Sequence, residues 1–427
     1  MFQEILVLSI NALLYSVLAF FYLCRYGFCF KTMPLIIWSL SAVCSIAYFL
    51  SPYRFLLHSY TEEVTLLPLL YLFTLVWISF LPLLKFDQNK MLVVEINQNL
   101  FTFLCIFLIV ISLFTFYQNI SYFRSNVTSL EFFVEQKEEI ASGGKVEIFH
   151  GITANVMILI NYFHGIIPLF LVLSFTNLVR RNILIRSGMI FVCLNLMLFY
   201  LNNAARFSFM TDFLYLFFCF LLLHKFFSRN MQKWVKLIGA FVGVFFFAVI
   251  SLITVARFGE DSGYTATIDF TLTRYAGESF PNFSADLWDV HELANGDNSF
   301  WFFKQKVQGK SKMGRDPDVL ARKVHRRMHV FYTFIGDFYA DFGRYNTVLF
   351  VTFLSFIIIV LTRFNFVCSI SKIIVISIYS KILLLGITYM TYLNYSYEIL
   401  GSLFVAFLFY IANKFSSNMQ NFSKAVR

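Results

Sequence analysis

Residues 98–117 read QNLFTFLCIFLIVISLFTFY, twenty positions without a charged side chain. A helix rises about 1.5 Å per residue, so a run of this length crosses the roughly 30 Å hydrocarbon core of a bilayer. Similar runs recur along the 427-residue chain, in which 59% of residues are hydrophobic and 14% are charged. A soluble core cannot bury that much apolar surface, so the sequence predicts an all-α integral membrane protein.

The apolar runs predict about 11 transmembrane helices when they are counted by window. The first run lacks a basic region and an A-x-A cleavage pattern, so we expect it to be a span and not a removable signal peptide. The predicted spans are residues 4–24, 34–52, 64–84, 98–117, 152–177, 183–201, 207–227, 234–256, 346–364, 367–391 and 398–414.

One long polar run, residues 256–344, interrupts this pattern between the eighth and ninth predicted spans. We therefore expect three parts. An N-terminal bundle of about eight spans covers 1–256, a large extracytoplasmic loop with an amphipathic or re-entrant helix covers 257–345, and about three C-terminal spans cover 346–427.

Charge sets the expected orientation and argues against some partners. The formal net charge is +10, but the basic residues lie in short alternate connectors and not in one stripe, which favours a membrane and not a nucleic acid as partner. The intervening connectors are richer in acid. The N-terminus is therefore expected outside, the C-terminus in the cytoplasm and the polar run on the outer face.

The seven cysteines lie in or beside apolar runs, which argues against a disulfide framework or a thiolate metal site.

The second half of the polar run is expected to form a helix that begins near Pro317. Steps of three or four residues place polar side chains on one face, while Val330, Phe334 and Phe338 lie on the other. This polar stripe points to a catalytic site, although simple neutralisation of the acids by arginines at the membrane rim would give the same pattern. The stripe consists of Arg326, His329, Thr333, Asp337, Asp341 and Arg344.

Other residues suit the binding of phosphate and sugar. Arg206, in an outer turn, is either a snorkelling anchor or a phosphate ligand, and Arg257 and Arg274 begin the polar run. Aromatic rings beside polar groups suit sugar rings, although each is also compatible with simple packing. The basic segment 304–312 is a solvated face or steers an anionic substrate. The candidate sugar-binding residues are Tyr264, Tyr275, Trp288 and Trp301, with Asp289 beside them.

Several cofactor signatures are absent from the sequence. It contains no Walker loop, no GxGxxG, no HExxH, no G-x-S-x-G and no His/Cys cluster with metal-ligand spacing. We therefore expect no cofactor, a metal-independent reaction and an energy source other than nucleotide hydrolysis.

Two stretches resemble a known family. FIGDFYADFGRYNTVLF (334–350), after a large loop and before further spans, is similar to the C-terminal signature of bacterial O-antigen polymerases, the Wzy or oligosaccharide repeat unit polymerases. NNAAR (202–206) resembles the small-polar-Arg motif of that family, with Asn and Ala where Gly and Ser are usual. The similarity of architecture extends over nearly the whole chain, while the motifs are short.

The resemblance implies a GT-C-like polytopic glycosyltransferase of the bacterial inner membrane. Its donor would be a growing glycan on undecaprenyl pyrophosphate, and its acceptor a hydroxyl of a newly flipped lipid-linked repeat unit. Membrane lipids and a chain-length regulator protein are the further expected partners. The general base would be His329, Asp337 or Asp341, with His329 preferred because an unperturbed histidine titrates near neutral pH. The arginines expected to bind the pyrophosphates are Arg206, Arg257, Arg274, Arg326, Arg327 and Arg344.

Three other functions remain open from the sequence. An O-antigen ligase shares the donor and transfers it to a different acceptor. A flippase or transporter for lipid-linked oligosaccharide would carry charges inside its spans and show pseudo-symmetric halves. A structural or receptor membrane protein would lack convergent arginines.

Overall fold

A computed structural model describes most of the chain. The described residues are 2–51, 60, 62–126, 148–203, 206–233, 235, 237, 239, 274–308, 317–328, 330–390 and 396–425, and the side chains of 126, 206, 207, 396 and 416–425 lie outside that description. The predicted span 234–256 falls mostly outside it.

Long apolar helices dominate the described residues and confirm a polytopic, all-α membrane protein. Nine of the described helices are long and apolar enough to cross a bilayer. The predicted span 367–391 contains a shorter helix of 16 residues. The nine are Phe2–Tyr26, Thr32–Leu50, Leu66–Lys90, Gln98–Ser125, Ile152–Phe175, Ile183–Asn202, Ser208–Phe226, Thr333–Thr362 and Tyr397–Phe415.

The helices follow one another along the chain with two short strands between them. The strands β1 (Val93–Glu95) and β2 (Val367–Ser369) pair in parallel, with Val94 opposite Cys368, and are a small addition to the predicted all-α fold. The helices are α1 (Phe2–Tyr26), α2 (Thr32–Leu50), α3 (Leu66–Lys85), α4 (Gln98–Asn126), α5 (Ile152–Phe163), α6 (Ile167–Phe175), α7 (Ile183–Asn202), α8 (Arg206–Leu223), α9 (Ser279–Asn282), α10 (Trp301–Gln308), α11 (Pro317–Val324), α12 (Thr333–Thr362), α13 (Ile370–Leu385) and α14 (Ser396–Ala425).

The chain divides into two compact units that differ from the three consecutive parts expected from the sequence. Unit 1 contains Met1–Asp87, Asp269–Arg363 and Ile378–Ser396, and unit 2 contains Gln88–Ile268, Phe364–Ser377 and Tyr397–Arg427. Each unit combines N-terminal and C-terminal helices, because contacts between distant segments define a compact unit and chain order does not.

Unit 1 has an aromatic core that includes part of the polar run. The Trp38 indole, fully buried, donates a 2.7 Å hydrogen bond to the carbonyl of Leu383. Phe280 and Phe283, from the predicted extracytoplasmic loop, are also fully buried in this unit. Residues 279–287 are all buried, so this part of the predicted loop belongs to the core of unit 1.

Unit 2 contains polar contacts between α4 and α7. The Asn195 side chain donates to Ser112 Oγ at 2.9 Å, and the Asn119 side chain donates to Asn195 Oδ1 at 3.0 Å. The Asn202 side chain extends this ladder by donating to the Asn119 carbonyl at 2.8 Å. Hydrogen bonds between apolar helices are a common means of fixing their packing in a membrane.

The polar stripe is not one continuous helix. Helix α11 ends at Val324, and α12 begins at Thr333, so Arg326 lies in a non-helical connection. Gly343 interrupts α12 with φ 72° and ψ −177°, which separates Arg344 from the turns that carry Asp337 and Asp341. The prediction of one helical face from Arg326 to Arg344 is therefore wrong. Helical spacing in the sequence carried no information about the break, which glycine tolerates because it has no Cβ.

Candidate functional site

In unit 1, a buried glutamate joins two parts of the polar run. Glu278 Oε2 accepts a 2.9 Å hydrogen bond from Arg274 Nε, and Glu278 Oε1 accepts a 3.3 Å hydrogen bond from the Phe331 backbone N–H. The Asn282 side chain donates to the Phe331 carbonyl at 3.1 Å. These contacts hold the connection before α12 against residues 274–282.

Arg327 is held in the same region by a second buried acid. Its guanidinium forms an ion pair with Asp286, and its carbonyl accepts a 2.6 Å hydrogen bond from the Tyr332 hydroxyl. The Arg327 guanidinium also lies 5.9 Å from the ring centroid of Tyr60. Because Asp286 is 2% exposed and Arg327 is 33% exposed, the acid fixes the arginine and leaves part of it accessible.

Arg326 is bound to the backbone and not to a carboxylate oxygen. Its Nη2 donates a 3.0 Å hydrogen bond to the carbonyl of Asp289, while its Nε is buried and has no hydrogen-bond partner. Arg274 keeps 32% of its side chain exposed beside Glu278. Arg274, Arg326 and Arg327, called here the arginine site, thus combine fixed geometry with capacity for an anionic ligand.

A carboxyl pair, Glu62 and Asp289, lies next to Arg326. The hydrogen bond to Asp289 raises the pKa of the exposed Glu62 carboxyl, and slight desolvation and the Asp289 charge act in the same direction. Arg326 and His291 act in the opposite direction on the pKa of Glu62. A glutamate whose pKa is raised toward neutral pH is better suited to taking up and releasing a proton than an ordinary one.

The loop that carries Glu62 is bound to the helical segment Phe283–Leu287, which lies just before Asp289 in the chain. The Thr65 backbone N–H donates to Ser284 Oγ at 2.9 Å, and Ser284 Oγ donates to the Thr65 carbonyl at 3.1 Å. This double contact explains how Glu62, in the connection between α2 and α3, comes to lie beside Asp289.

Arg344 is placed on the indole ring of Trp288. Its guanidinium lies 3.9 Å from the ring centroid, and its carbonyl accepts a 2.6 Å hydrogen bond from the Tyr71 hydroxyl. Trp288 is 8% exposed and stacks on Tyr339 at 5.6 Å. Because its ring is covered in this way, Trp288 serves to hold Arg344 in place and does not offer an open face to a sugar.

Asp337 and Asp341, predicted as catalytic acids, are engaged in backbone and amide contacts. Asp341 accepts hydrogen bonds from the backbone N–H groups of Gly296 at 2.9 Å and Asn298 at 3.0 Å. Asp337 accepts from the Asn298 side chain at 3.0 Å and from the Met390 N–H at 2.6 Å. Both acids are buried, so these contacts support a structural role, and the sequence pattern gave no sign of them.

The turn at residues 296–299, which Asp341 binds, is also held by ion pairs of Asp297. Asp297 forms ion pairs with Lys304 and Lys323, each at 2.5 Å. Partial burial acts to raise the pKa of Asp297, but the hydrogen bonds from the two lysines lower this pKa, and the result is a pKa below the ordinary value. Lys304, expected to belong to a basic solvated face, is therefore paired with an acid.

The structure describes only some of the remaining predicted site residues. Tyr275 is 36% exposed and packs against Phe331, so one part of its ring stays available, and Trp301 is half-buried at the start of α10. Arg206 begins α8 in unit 2, with its side chain outside the described residues. The predicted residues Arg257, Tyr264 and His329 lie outside the described residues.

Sequence reasoning missed Glu62, Glu278 and Asp286 as members of this site. Glu278 follows Arg274 by four residues, a spacing that signals a helical ion pair. For Asp286 and Glu62 no local signal exists, because their partners Arg327 and Asp289 lie far away in the chain.

Comparison with protein-family models, curated proteins and solved structures finds no match for the chain. Within the part of the chain that the structure describes, no group of three or more His, Cys, Asp or Glu side chains is arranged to hold a metal ion. The function is therefore inferred from the chemistry of unit 1. Fixed guanidinium groups can neutralise an anionic leaving group, and the neighbouring carboxyl pair can accept a proton.

Proposed function

We propose that this protein is a membrane glycosyltransferase that polymerises lipid-linked oligosaccharide repeat units on the outer face of the bacterial inner membrane. The observation that carries the proposal is the arginine site beside the carboxyl pair. Buried Glu278 and Asp286 hold Arg274 and Arg327, while the Asp289 carbonyl holds Arg326.

The arginine site suits the pyrophosphate of a lipid-linked donor. Arginine presents several N–H donors in a plane, and this geometry matches the oxygens of a phosphate group. Fixed positive charge at this position would stabilise the negative charge that develops as the lipid pyrophosphate leaves. Since the leaving group is already on the donor, such a reaction requires no nucleotide sugar.

The transfer step balances as follows. The acceptor hydroxyl oxygen forms a bond to the anomeric carbon of the donor glycan, and the bond from that carbon to the phosphate oxygen breaks. The hydroxyl proton passes to the ionised member of the carboxyl pair, and the bonding electrons leave with the lipid pyrophosphate. In this proposal, Glu62 and Asp289 replace Asp337 and Asp341 as the acid–base groups, because the latter are occupied by structural hydrogen bonds.

The positive-inside pattern and the aromatic residues complete the proposal. The basic connectors support an N-terminus in the periplasm and a C-terminus in the cytoplasm. Unit 1 would then act at the outer surface, where Tyr275 and Trp301 are the remaining described candidates for stacking against a sugar ring.

Glycan profiling of a deletion strain tests the class of reaction. Products that carry a single repeat unit are expected for a missing polymerase. A bare acceptor without any repeat unit would instead indicate an O-antigen ligase or a flippase, and an unchanged profile would reject all three functions.

Single substitutions test the arginine site in the complemented strain. We expect Arg274→Gln, Arg326→Gln and Arg327→Gln each to slow transfer by about a hundredfold, as for removal of one group that stabilises a developing anion. Arg322→Gln, on the exposed face of α11, is the matched control and should give normal chain lengths. Normal polymer from all three site variants, at normal protein level, would reject the assignment.

A further inference from the structure

A helix break in unit 2 places a histidine inside a predicted membrane span. Between α5 and α6, His164–Ile166 form a single turn of tighter helix, within the candidate span Ile152–Phe175. Pro168 has no N–H to donate to the carbonyl of His164, and the Ile167 N–H takes that carbonyl instead. The local sequence therefore explains the break, and broken helices at membrane depth are typical of ion-binding sites.

Two carboxylates and a tyrosine surround the His164 imidazole. Nε2 lies 2.6 Å from Asp212 Oδ2 on α8, and Nδ1 lies 3.4 Å from Glu398 Oε2 on α14. The Tyr200 hydroxyl, on α7, contacts Nε2 and donates a 2.7 Å hydrogen bond to the same Asp212 oxygen. Since both ring nitrogens face carboxylate oxygens, both can donate only when the imidazole is protonated.

These groups are largely removed from the surface of the structure. The exposed fractions are 15% for the His164 side chain, 12% for Asp212 and 2% for Glu398. An ionisable residue within a membrane span is costly and is retained mainly where it has a function. When both carboxylates are ionised, the three groups carry a net negative charge even with a protonated imidazole, so a proton is a ligand that suits the site.

A glycine permits the close approach of Glu398. A Cβ atom added at Gly165 would lie 2.8 Å from Glu398 Oε1 and 2.7 Å from Ser402 Oγ. The Gly165 carbonyl, next to the break, accepts a 3.0 Å hydrogen bond from the Tyr215 hydroxyl. An alanine at this position would displace the flexible Glu398 carboxylate while leaving every ionisable group in the chain.

We propose that His164, Asp212 and Glu398 form a proton-binding site inside the helices of unit 2. The imidazole takes a proton from hydronium in water on one ring nitrogen and becomes the imidazolium held between the carboxylates, and it returns that proton to water when it becomes neutral again. No oxidation or reduction occurs. Other titratable side chains on the packed helices are Tyr162 from α5, Cys193 and Tyr200 from α7, Tyr215 from α8, and Tyr397 from α14. Helix α4 contacts the end of α5 through the ring of Phe107, which carries no titratable group.

A proton site at this position differs from a sugar site. Asp212 lies six residues after Arg206, which starts α8, so it is about 9 Å further along the helix at 1.5 Å per residue. His164 is the thirteenth of the 24 residues of the candidate span Ile152–Phe175, so it lies near the middle of that span and not at its polar ends. This inference does not depend on the proposed glycosyl transfer, since proton binding is measured without any glycan.

Nitrogen NMR of the full-length protein labelled with ¹⁵N-histidine, in lipid nanodiscs, tests the proposal directly. His164→Gln identifies the His164 signals by their loss. We expect the wild-type signals to show an imidazolium with two N–H groups that converts reversibly to neutral imidazole as the pH is raised from about 5 to about 9. A single neutral form throughout that range would overturn the proposal.

Three further variants keep His164 and probe its partners. In Asp212→Asn, in Glu398→Gln and in Gly165→Ala, the ratio of protonated to neutral His164 at fixed pH should fall about tenfold or more, because an opposite charge is removed or displaced. His325→Gln is the matched control, since His325 is 69% exposed and pairs with Glu292 at 3.5 Å. If the three variants titrate as the wild type and the control do, the carboxylates do not hold the proton and the proposal is wrong.

Discussion

The Asp341 carboxylate accepts a 2.6 Å hydrogen bond from the backbone N–H of Ser299, across 42 residues of chain. With the hydrogen bonds from Gly296 and Asn298, it satisfies three backbone N–H donors of one buried turn. An acid in this position stabilises the turn that precedes α10, and a catalytic role would require it to give up those contacts.

Asp341→Asn should therefore destabilise the protein. Its amide offers one acceptor oxygen where the carboxylate offers two, so at least one buried N–H loses its partner, at a cost of about 1–3 kcal/mol. We expect a lower thermal transition in detergent and faster amide exchange at residues 294–300, with glycan synthesis reduced in proportion to the folded protein. A variant that is fully stable and inactive would instead support the catalytic role predicted from the sequence.

Arg327 and Asp286 provide a test that separates stability from activity. Arg327→Gln leaves the buried Asp286 without its ion-pair partner, which lowers stability, whereas the double change Asp286→Asn with Arg327→Gln removes both charges. We expect the double variant to recover most of the thermal stability and none of the polymer synthesis. Recovery of both properties together would show that Arg327 has only a structural role.

The carboxyl pair predicts a local dependence on pH. Because folding raises the pKa of Glu62, the hydrogen bond of its protonated form contributes stability at low pH, and this contribution is lost as the pH rises through the folded-state pKa. Amide exchange at residues 62–66, corrected for the intrinsic effect of pH, should therefore increase with pH in the wild type. Glu62→Gln keeps a hydrogen-bond donor towards Asp289 and should make the exchange rate independent of pH. The control Glu63→Gln should keep the pH dependence of the wild type. Equal pH profiles of exchange in all three proteins would contradict the shared hydrogen bond.

Gly277 sets the distance between α2 and the helical turns that carry Arg274. A Cβ atom at this position would lie 2.5 Å from both the carbonyl carbon and the oxygen of Cys44, and backbone atoms cannot move aside as a flexible side chain can. Gly277→Ala should lower the thermal transition and disturb the arginine site, with a cost of about 1–3 kcal/mol for overpacking. Gly239→Ala is the control, because an added Cβ there would meet no atom of the described residues within 4 Å. Equal stability of the two variants would contradict the close contact at Gly277.

The candidate site shows where local patterns reach their limit. The sequence singled out Arg274, Arg326, Arg327 and Arg344 because basic residues in a polar run beside spans are conspicuous. It assigned Asp337 and Asp341 to catalysis on helical spacing, and the spacing could not reveal that Asn298 and Met390 lie opposite them. It gave Glu62 no chemical role, since the raised pKa of Glu62 depends on Asp289, which lies more than 200 positions later in the chain.

The sequence by itself determined the class of fold, because hydrophobic length is a local property and a run of about twenty apolar residues fits a bilayer wherever it occurs. Nine predicted spans correspond to candidate spans in the structure. The largest difference is at α12, which starts 13 residues before the predicted span 346–364. Only the tertiary structure decided that α12 starts at Thr333, that Glu278 and Asp286 hold the arginines, and that Glu398 meets His164. The reason is physical: the charge state and the role of a polar side chain depend on the groups within a few ångströms, and folding brings those groups from distant parts of the chain.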